Sequence, residues 1–330
     1  MLSFKDIIGQ ESVKEHLQSA ISEKKLSHAY IFSGEDGSGK MMLAKRFAAA
    51  LQCDSEGPEP CGCCLNCMQS EADSHPDTVY VAHEKKNITV DDIRNQLVND
   101  VQVKPYSGKY KIYIVDEAEK MNEAAQNALL KTLEEPPEYA VIILLTTNTG
   151  TFLQTILSRC VILDIKPVEN GRIRDYLMDR EKLPDYVASL YAAFSCGSIG
   201  KALRYAGDES FIAAKDLVIR FVTEVGRLKQ TELSELIGEM GGKDSKTSFD
   251  DYYDLMCMWY RDVMVYKATH DPRKVIFSEK ISEIREQAEE KSFKALNDIF
   301  NELETARQRL NFSVSFPATM QMLVRAMKAR

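Results

Sequence analysis

No apolar stretch in the sequence approaches the ~20 residues needed to cross a bilayer. Runs such as Val141 to Leu145 and Cys160 to Leu163 are far shorter, and the N-terminus lacks a signal-peptide pattern. These absences lead to the expectation of a cytoplasmic chain with no membrane partner. A surplus of basic charge is missing too: 42 Lys and Arg against 50 Asp and Glu leave a formal net charge of -8. Phosphate-backbone binding is driven by Lys, Arg and counterion release, so a surface that grips nucleic acid everywhere is excluded and any DNA contact must be local or shared. The cysteines are not spread as a disulfide framework. Five of the eight crowd between Cys53 and Cys67, which in a chain without an export signal points to metal ligation. Cys160, Cys196 and Cys257 are scattered and are expected to be small core residues.

What is present is enough apolar material for two or three cores: 330 residues, 44% of them hydrophobic. From Phe4 to about Ile165, amphipathic stretches alternate with the apolar runs Ala29 to Phe32, Thr78 to Val81, Lys111 to Val115 and Val141 to Leu145. Continuous runs of this length suit strands buried on both faces of a parallel sheet, with helices completing an α/β architecture. After about Lys166 the strand signal fades into Leu, Ala, Glu, Lys and Met at helical spacing. Gly241 to Lys246 breaks that helical half and is expected to be an exposed loop.

The segment Gly34-Glu35-Asp36-Gly37-Ser38-Gly39-Lys40 follows one apolar run and precedes the helical stretch Leu43 to Ala48, the strand-loop-helix context of a phosphate-binding P-loop. Gly34, Gly37 and Gly39 let backbone N–H groups wrap phosphates, and Lys40 neutralises the outer ones. The next position should supply a Ser or Thr hydroxyl to magnesium. It is Met41, followed by Met42, and a thioether is a poor ligand for a hard cation. The run Ile112 to Val115 leads into Asp116 and Glu117, a Walker B pair: Asp116 for the metal and Glu117 to polarise the attacking water. The site is therefore expected to hold ATP and Mg2+ weakly or not at all.

Further segments carry a likeness to one family. Phe4 with Ile8-Gly9-Gln10, the lead Ser27-His28-Ala29-Tyr30-Ile31-Phe32-Ser33-Gly34, the helix and turn Asn127 to Pro137, and Ile156-Leu157-Ser158-Arg159-Cys160 together resemble subunits of the bacterial DNA polymerase III sliding-clamp loader, which are AAA+ proteins. The resemblance spans the N-terminal half. It implies that Arg159 is an arginine finger acting in trans on the ATP of a neighbouring subunit. It also implies that Thr146-Thr147-Asn148 holds the polar sensor, Asn148, of the gamma-phosphate. In Gly197-Ser198-Ile199-Gly200-Lys201, Gly200 stands where motor subunits carry a nucleotide-sensing arginine, with Lys201 adjacent. Met41 and Gly200 both depart from the motor pattern and point to the non-motor, delta-prime branch.

Four thiolates, Cys53, Cys61, Cys64 and Cys67, suit a tetrahedral structural zinc with no open catalytic position. Choosing Cys61 over its neighbour Cys63 follows the family's spacing. An iron–sulfur cluster is the rival, but Cys67 is followed by Met68 rather than the proline of the ferredoxin pattern. The resemblance further implies an AAA+ domain over 1–165 with a four-cysteine zinc module at 53–67, a small all-α lid over 166–207 and an all-α collar over 208–330. Its partners would be gamma/tau motor subunits and a delta subunit in a hetero-pentameric ring, with the sliding clamp and primed DNA reached through the complex. Tyr252-Tyr253, Met256, Met258 and Trp259-Tyr260 mark either a subunit contact or a helix core. His28 and His75 show no catalytic constellation and are expected to be structural.

Two other functions compete. An ATP-hydrolysing motor subunit of the same loader would need to tolerate Met41. A zinc-dependent nucleic-acid-binding regulator would need a basic cysteine module, yet this one holds Asp54, Glu56 and Glu59 and no Lys or Arg. No polymerase active site is evident in the chain.

Overall fold

Each of the long apolar runs divides its side chains between two cores, because successive residues of a strand face opposite sides of the sheet. In the strand Ala29–Ser33, Tyr30 and Phe32 enter one core while Ala29 and Ile31 enter the other. In the strand Ala140–Thr146, Val141, Ile143 and Leu145 join the first and Ile142 and Leu144 the second. The computed structural model that shows this describes residues 3–55, 57–83, 87–207, 209–241, 249–312 and 314–329. Glu56 and most of the expected loop, Gly242 to Lys246, lie outside them.

The chain divides into two compact units, Met1–Ala188 with Ser195–Ala202 and Ser189–Phe194 with Leu203–Arg330. In chain order the first holds α1 (Glu11–Ser22), β1 (Ala29–Ser33), α2 (Lys40–Gln52), α3 (Leu65–Glu71), β2 (Thr78–Val81), α4 (Val90–Ile93), β3 (Lys111–Val115), α5 (Glu123–Glu134), β4 (Ala140–Thr146), α6 (Gln154–Leu157), β5 (Val161–Asp164) and α7 (Asn170–Arg180). The five strands form one parallel sheet in the order β2-β3-β4-β1-β5. Residues of α1 and α2 pack on one face, and those of α4, α5 and α6 on the other. Four strands lie where their apolar runs predict them. β2 and β5, at the two edges of the sheet, are only partly buried rather than covered on both faces, with Val81 and Leu163 their single buried residues.

Register places the business end. Ser33 pairs with Thr146, and Val115 with Leu144, so the segments leaving β1, β3 and β4 emerge together at the carboxyl edge of the sheet. Open α/β sheets bind ligands at that edge.

Two further helices, α8 (Asp185–Phe194) and α9 (Ile199–Gly207), contribute to both units, and the second unit continues with α10 (Glu209–Glu224), α11 (Gln230–Met240), α12 (Phe249–Thr269), α13 (Ile281–Glu290), α14 (Phe293–Asn311) and α15 (Phe316–Met327). Met256, Trp259 and Tyr260 of α12 are fully buried, and Tyr252 and Met258 nearly so. The aromatic and Met-rich stretch is thus the core of this unit. A fully buried carboxylate on the same helix, Asp262, binds Arg261 at 2.6 Å and accepts the backbone N–H groups of Ile276 at 2.6 Å and Phe277 at 2.8 Å. Asp262→Ala would strand both N–H groups, and we expect a loss of about 2–4 kcal/mol in denaturant unfolding. No helix among the described residues is long and apolar enough to cross a membrane.

Candidate functional site

The turn after β1 needs backbone angles that side chains resist: Gly37 sits at φ +70° and Gly39 at φ +95°. These angles wind Gly34 to Gly39 into a loop that ends on the N-terminus of α2, whose orphan N–H groups and dipole favour an anion. Lys40 opens that helix. Its Nζ donates to the carbonyls of Gly34 at 2.6 Å and Glu35 at 2.9 Å, so the ammonium curls over its own loop. Burial lowers its pKa against the opposing pull of Asp36, Glu119, Asp116 and Glu35. Met41, at the expected hydroxyl position, is partly buried and packs against the core beneath.

The loop is also held from the start of α9. Ser198 Oγ donates to the Asp36 carbonyl and the Gly200 N–H to the Gly37 carbonyl, each at 2.9 Å. A Cβ on Gly200 would stand 2.8 Å from Gly37 Cα, so a larger residue there would have to displace the loop. The missing arginine is therefore matched by a close backbone contact that only glycine permits.

Asp116 and Glu117 follow β3 at the same edge, both exposed. Glu117 adopts φ +48°, a left-handed conformation uncommon for a side-chain-bearing residue, and its N–H donates to Asp116 Oδ1 at 2.9 Å. Its carboxylate lies 2.6 Å from Lys120 Nζ and 3.4 Å from His83 Nε2. After β4, Thr147 Oγ1 donates to Glu119 at 2.8 Å, and Asn148 Oδ1 accepts the Gly150 N–H at 2.8 Å, capping a short turn. Gly34, Gly37, Gly39, Lys40, Asp116, Glu117 and Asn148 therefore share one edge of the sheet. His83, Lys120 and Glu119 belong there as well. Sequence reasoning missed them, although Glu119 and Lys120 lie within three residues of the Walker B pair.

Arg159 lies just past α6. Its Nη2 is 2.9 Å from Glu134 Oε1 at the end of α5, and its Nη1 donates to Thr155 O at 2.8 Å and Ser158 Oγ at 3.2 Å.

The sulfurs of Cys53, Cys61, Cys64 and Cys67 all lie within 4.8 Å of one another. A tetrahedral site with ~2.3 Å metal–sulfur bonds needs sulfurs about 3.8 Å apart, so the four fit a metal ion after slight contraction. Cys63 stands just outside, its sulfur 3.6 Å from that of Cys61. Backbone N–H groups of Cys63 and Cys64 bring the Cys61 thiol down to about 5, whereas burial pushes that of Cys67 up. The Cys64 side chain caps α3, and Glu59 ties the module to the N-terminus by accepting from Ser3 Oγ at 2.9 Å, Phe4 N at 3.1 Å and Gln18 Nε2 at 2.7 Å. His75 is structural, bonded to Asn66 and the Asp77 N–H, while His28 Nε2 is buried without a partner among the described residues. Of the scattered cysteines, Cys160 packs on the core, but Cys196 is exposed at φ +49°, which corrects its assignment to the interior: a residue turning in the left-handed region ahead of α9 leaves its side chain in solvent.

A P-loop on a five-stranded parallel sheet, with Walker B carboxylates and a polar residue at the same edge, defines an AAA+ module. A family described as "DNA polymerase III, delta subunit" matches residues 9–169. The chain is 32% identical to the DNA polymerase III subunit tau of Bacillus subtilis over 94% of its own length and 58% of that protein's. It is 29% identical to the subunit delta' of Bacillus subtilis over 96% of its own length and 95% of that protein's. It is 38% identical to the subunit tau of Escherichia coli over 53% of its own length and 27% of that protein's. The chain thus spans little more than half of the first tau subunit and about a quarter of the second. These matches support a member of the clamp-loader family of DNA polymerase III subunits. Tau and delta' relatives match at comparable identity, so the comparisons do not separate the two.

Proposed function

We propose that this chain is the non-motor, delta-prime-type subunit of a DNA polymerase III clamp loader. It assembles with gamma/tau motor subunits and a delta subunit in the cytoplasm, supports ATP-dependent loading of the sliding clamp on primed DNA, and turns Arg159 toward the ATP of a neighbour. Position 41 carries the proposal: where a motor needs a metal-binding hydroxyl, a partly buried thioether beside Lys40 packs against the core. The glycine contact between Gly200 and Gly37 supports it, as does a match covering nearly the whole of a delta' relative. Residues 166–207 would serve as the lid and 208–330 as the collar.

In this proposal Gly34, Gly37, Gly39 and Lys40 would hold phosphates and Asp116 a magnesium ion, with the bound nucleotide structural. The four cysteines would hold zinc, because thiolates alone at tetrahedral spacing suit that ion and no open position is left for chemistry.

A motor of the gamma/tau type is the second reading, favoured by the intact Lys40, Asp116 and Glu117 and by the 32% identity to a tau subunit. Steady-state ATP hydrolysis by the purified chain separates the two. The expected result is no turnover above background by the chain alone, with turnover appearing on reconstitution with the other subunits; robust lone turnover abolished by Lys40→Ala would make the chain a motor.

A further inference from the structure

A guanidinium at the end of a long side chain must give up rotamer freedom before it can grip a phosphate, so a finger that is already oriented acts faster than one that swings. Arg159 is held in just this way. Its Nη2 meets Glu134 Oε1 at 2.9 Å, and its Nη1 donates to Thr155 O and Ser158 Oγ. A guanidinium has five N–H donors, and the two hydrogen bonds from Nη1 together with the ion pair at Nη2 leave N–H donors for a bidentate phosphate contact.

We infer that Glu134 is a positioning residue for Arg159, bracing the guanidinium so that it meets the polyphosphate of a neighbouring subunit in a fixed orientation. Glu134 acts in this way only if Arg159 is the trans-acting finger proposed above. Both ends of the brace stand on rigid ground: Leu133, beside Glu134, and Ile156, three residues before Arg159, are buried in the same core. The carboxylate occupies the last residue of α5, where the helix dipole disfavours negative charge, and Glu135 follows it directly. Helix stability therefore gives no reason for an acid at this position, whereas a cation across the gap does.

The pair is accessible, with 33% of the Arg159 side chain and 52% of the Glu134 side chain exposed. An ion pair so exposed adds little to folding, so removing the carboxylate leaves the fold intact and isolates its effect on the finger.

The test uses the loader reconstituted from full-length subunits. DNA-stimulated ATP hydrolysis is measured with the wild-type chain, Glu134→Gln, Arg159→Ala and the double variant, at saturating and limiting ATP. The expected results are a drop of about three- to tenfold in kcat at the Arg159-facing site for Glu134→Gln with little change in KM, a larger drop for Arg159→Ala, and no further loss when Glu134→Gln is added to Arg159→Ala. A merely structural contribution would add to the Arg159→Ala loss instead. If Arg159→Ala lowers the rate but Glu134→Gln leaves it unchanged or raises it, the brace is overturned and the finger stands. If Arg159→Ala itself has no effect, the finger assignment fails and the brace falls with it.

Discussion

Cys67→Ala is expected to abolish the proposed stoichiometric zinc binding and to destabilise the first unit by about 3–5 kcal/mol. Cys67 is 1% exposed, and burial pushes its thiol pKa up, so without a metal it is a neutral buried thiol with little to hold. A zinc ion held there would keep it as a thiolate and tie it to the three other sulfurs of the module. The four sulfurs are already gathered, so part of the ordering cost is met by the fold and the expected loss is well below that of a free zinc-finger peptide. Damage should spread along Glu59, which accepts from Ser3, Phe4 and Gln18 and so links the module to α1. Elemental analysis and thermal denaturation of the variant check the first part, and faster amide exchange across Phe4 and α1 checks the second. A variant that stays metal-free with unchanged melting would show the module to be dispensable for stability.

Arg159→Ala is expected to lower hydrolysis at the ATP site it is proposed to face by ~10³-fold, the lower end of what arginine fingers contribute in other nucleotide hydrolases. In the proposed loader the other sites would keep their own fingers, so the steady-state rate should fall only in part. Single-turnover kinetics of the reconstituted loader should show one phase of phosphate release missing and the rest preserved. Melting of the isolated chain should move little, because the ion pair between a half-exposed Glu134 and a partly exposed Arg159 adds little to folding. Retention of every phase would remove Arg159 from the chemistry.

The fold was legible where burial is two-sided. Val141 to Leu145 and Ile112 to Val115 are unbroken apolar runs because both faces of their strands are covered, and they could not be mistaken for surface helices. The last strand was not read as one: its apolar run, Cys160 to Leu163, is short and shows no alternation, although its burial is uneven, with Val161 half-buried and Ile162 and Asp164 exposed. At the site, loop spacing announced Gly34 to Lys40 and the cysteine cluster, since both depend on neighbours in the chain. Contacts between distant segments left no such trace. Nothing in the sequence marks His83 as a neighbour of Glu117, or Gly200 as the residue whose N–H reaches the Gly37 carbonyl. The aromatic stretch of α12 was ambiguous for the same reason, because whether Trp259 faces a core or a partner is decided by Phe277 and Gln287, far along the chain.

That burial has an optical consequence. Trp259 is the chain's single tryptophan, fully enclosed in the second unit, edge-on to Phe277 and donating its indole N–H to Gln287 Oε1 at 3.1 Å. Emission excited at the red edge of protein absorption therefore arises from the second unit alone, and the phosphate loop and cysteine module are dark at that wavelength. Titrating nucleotide or chelating metal while watching this one chromophore amounts to listening from the other unit, so any change in its colour is news that has travelled.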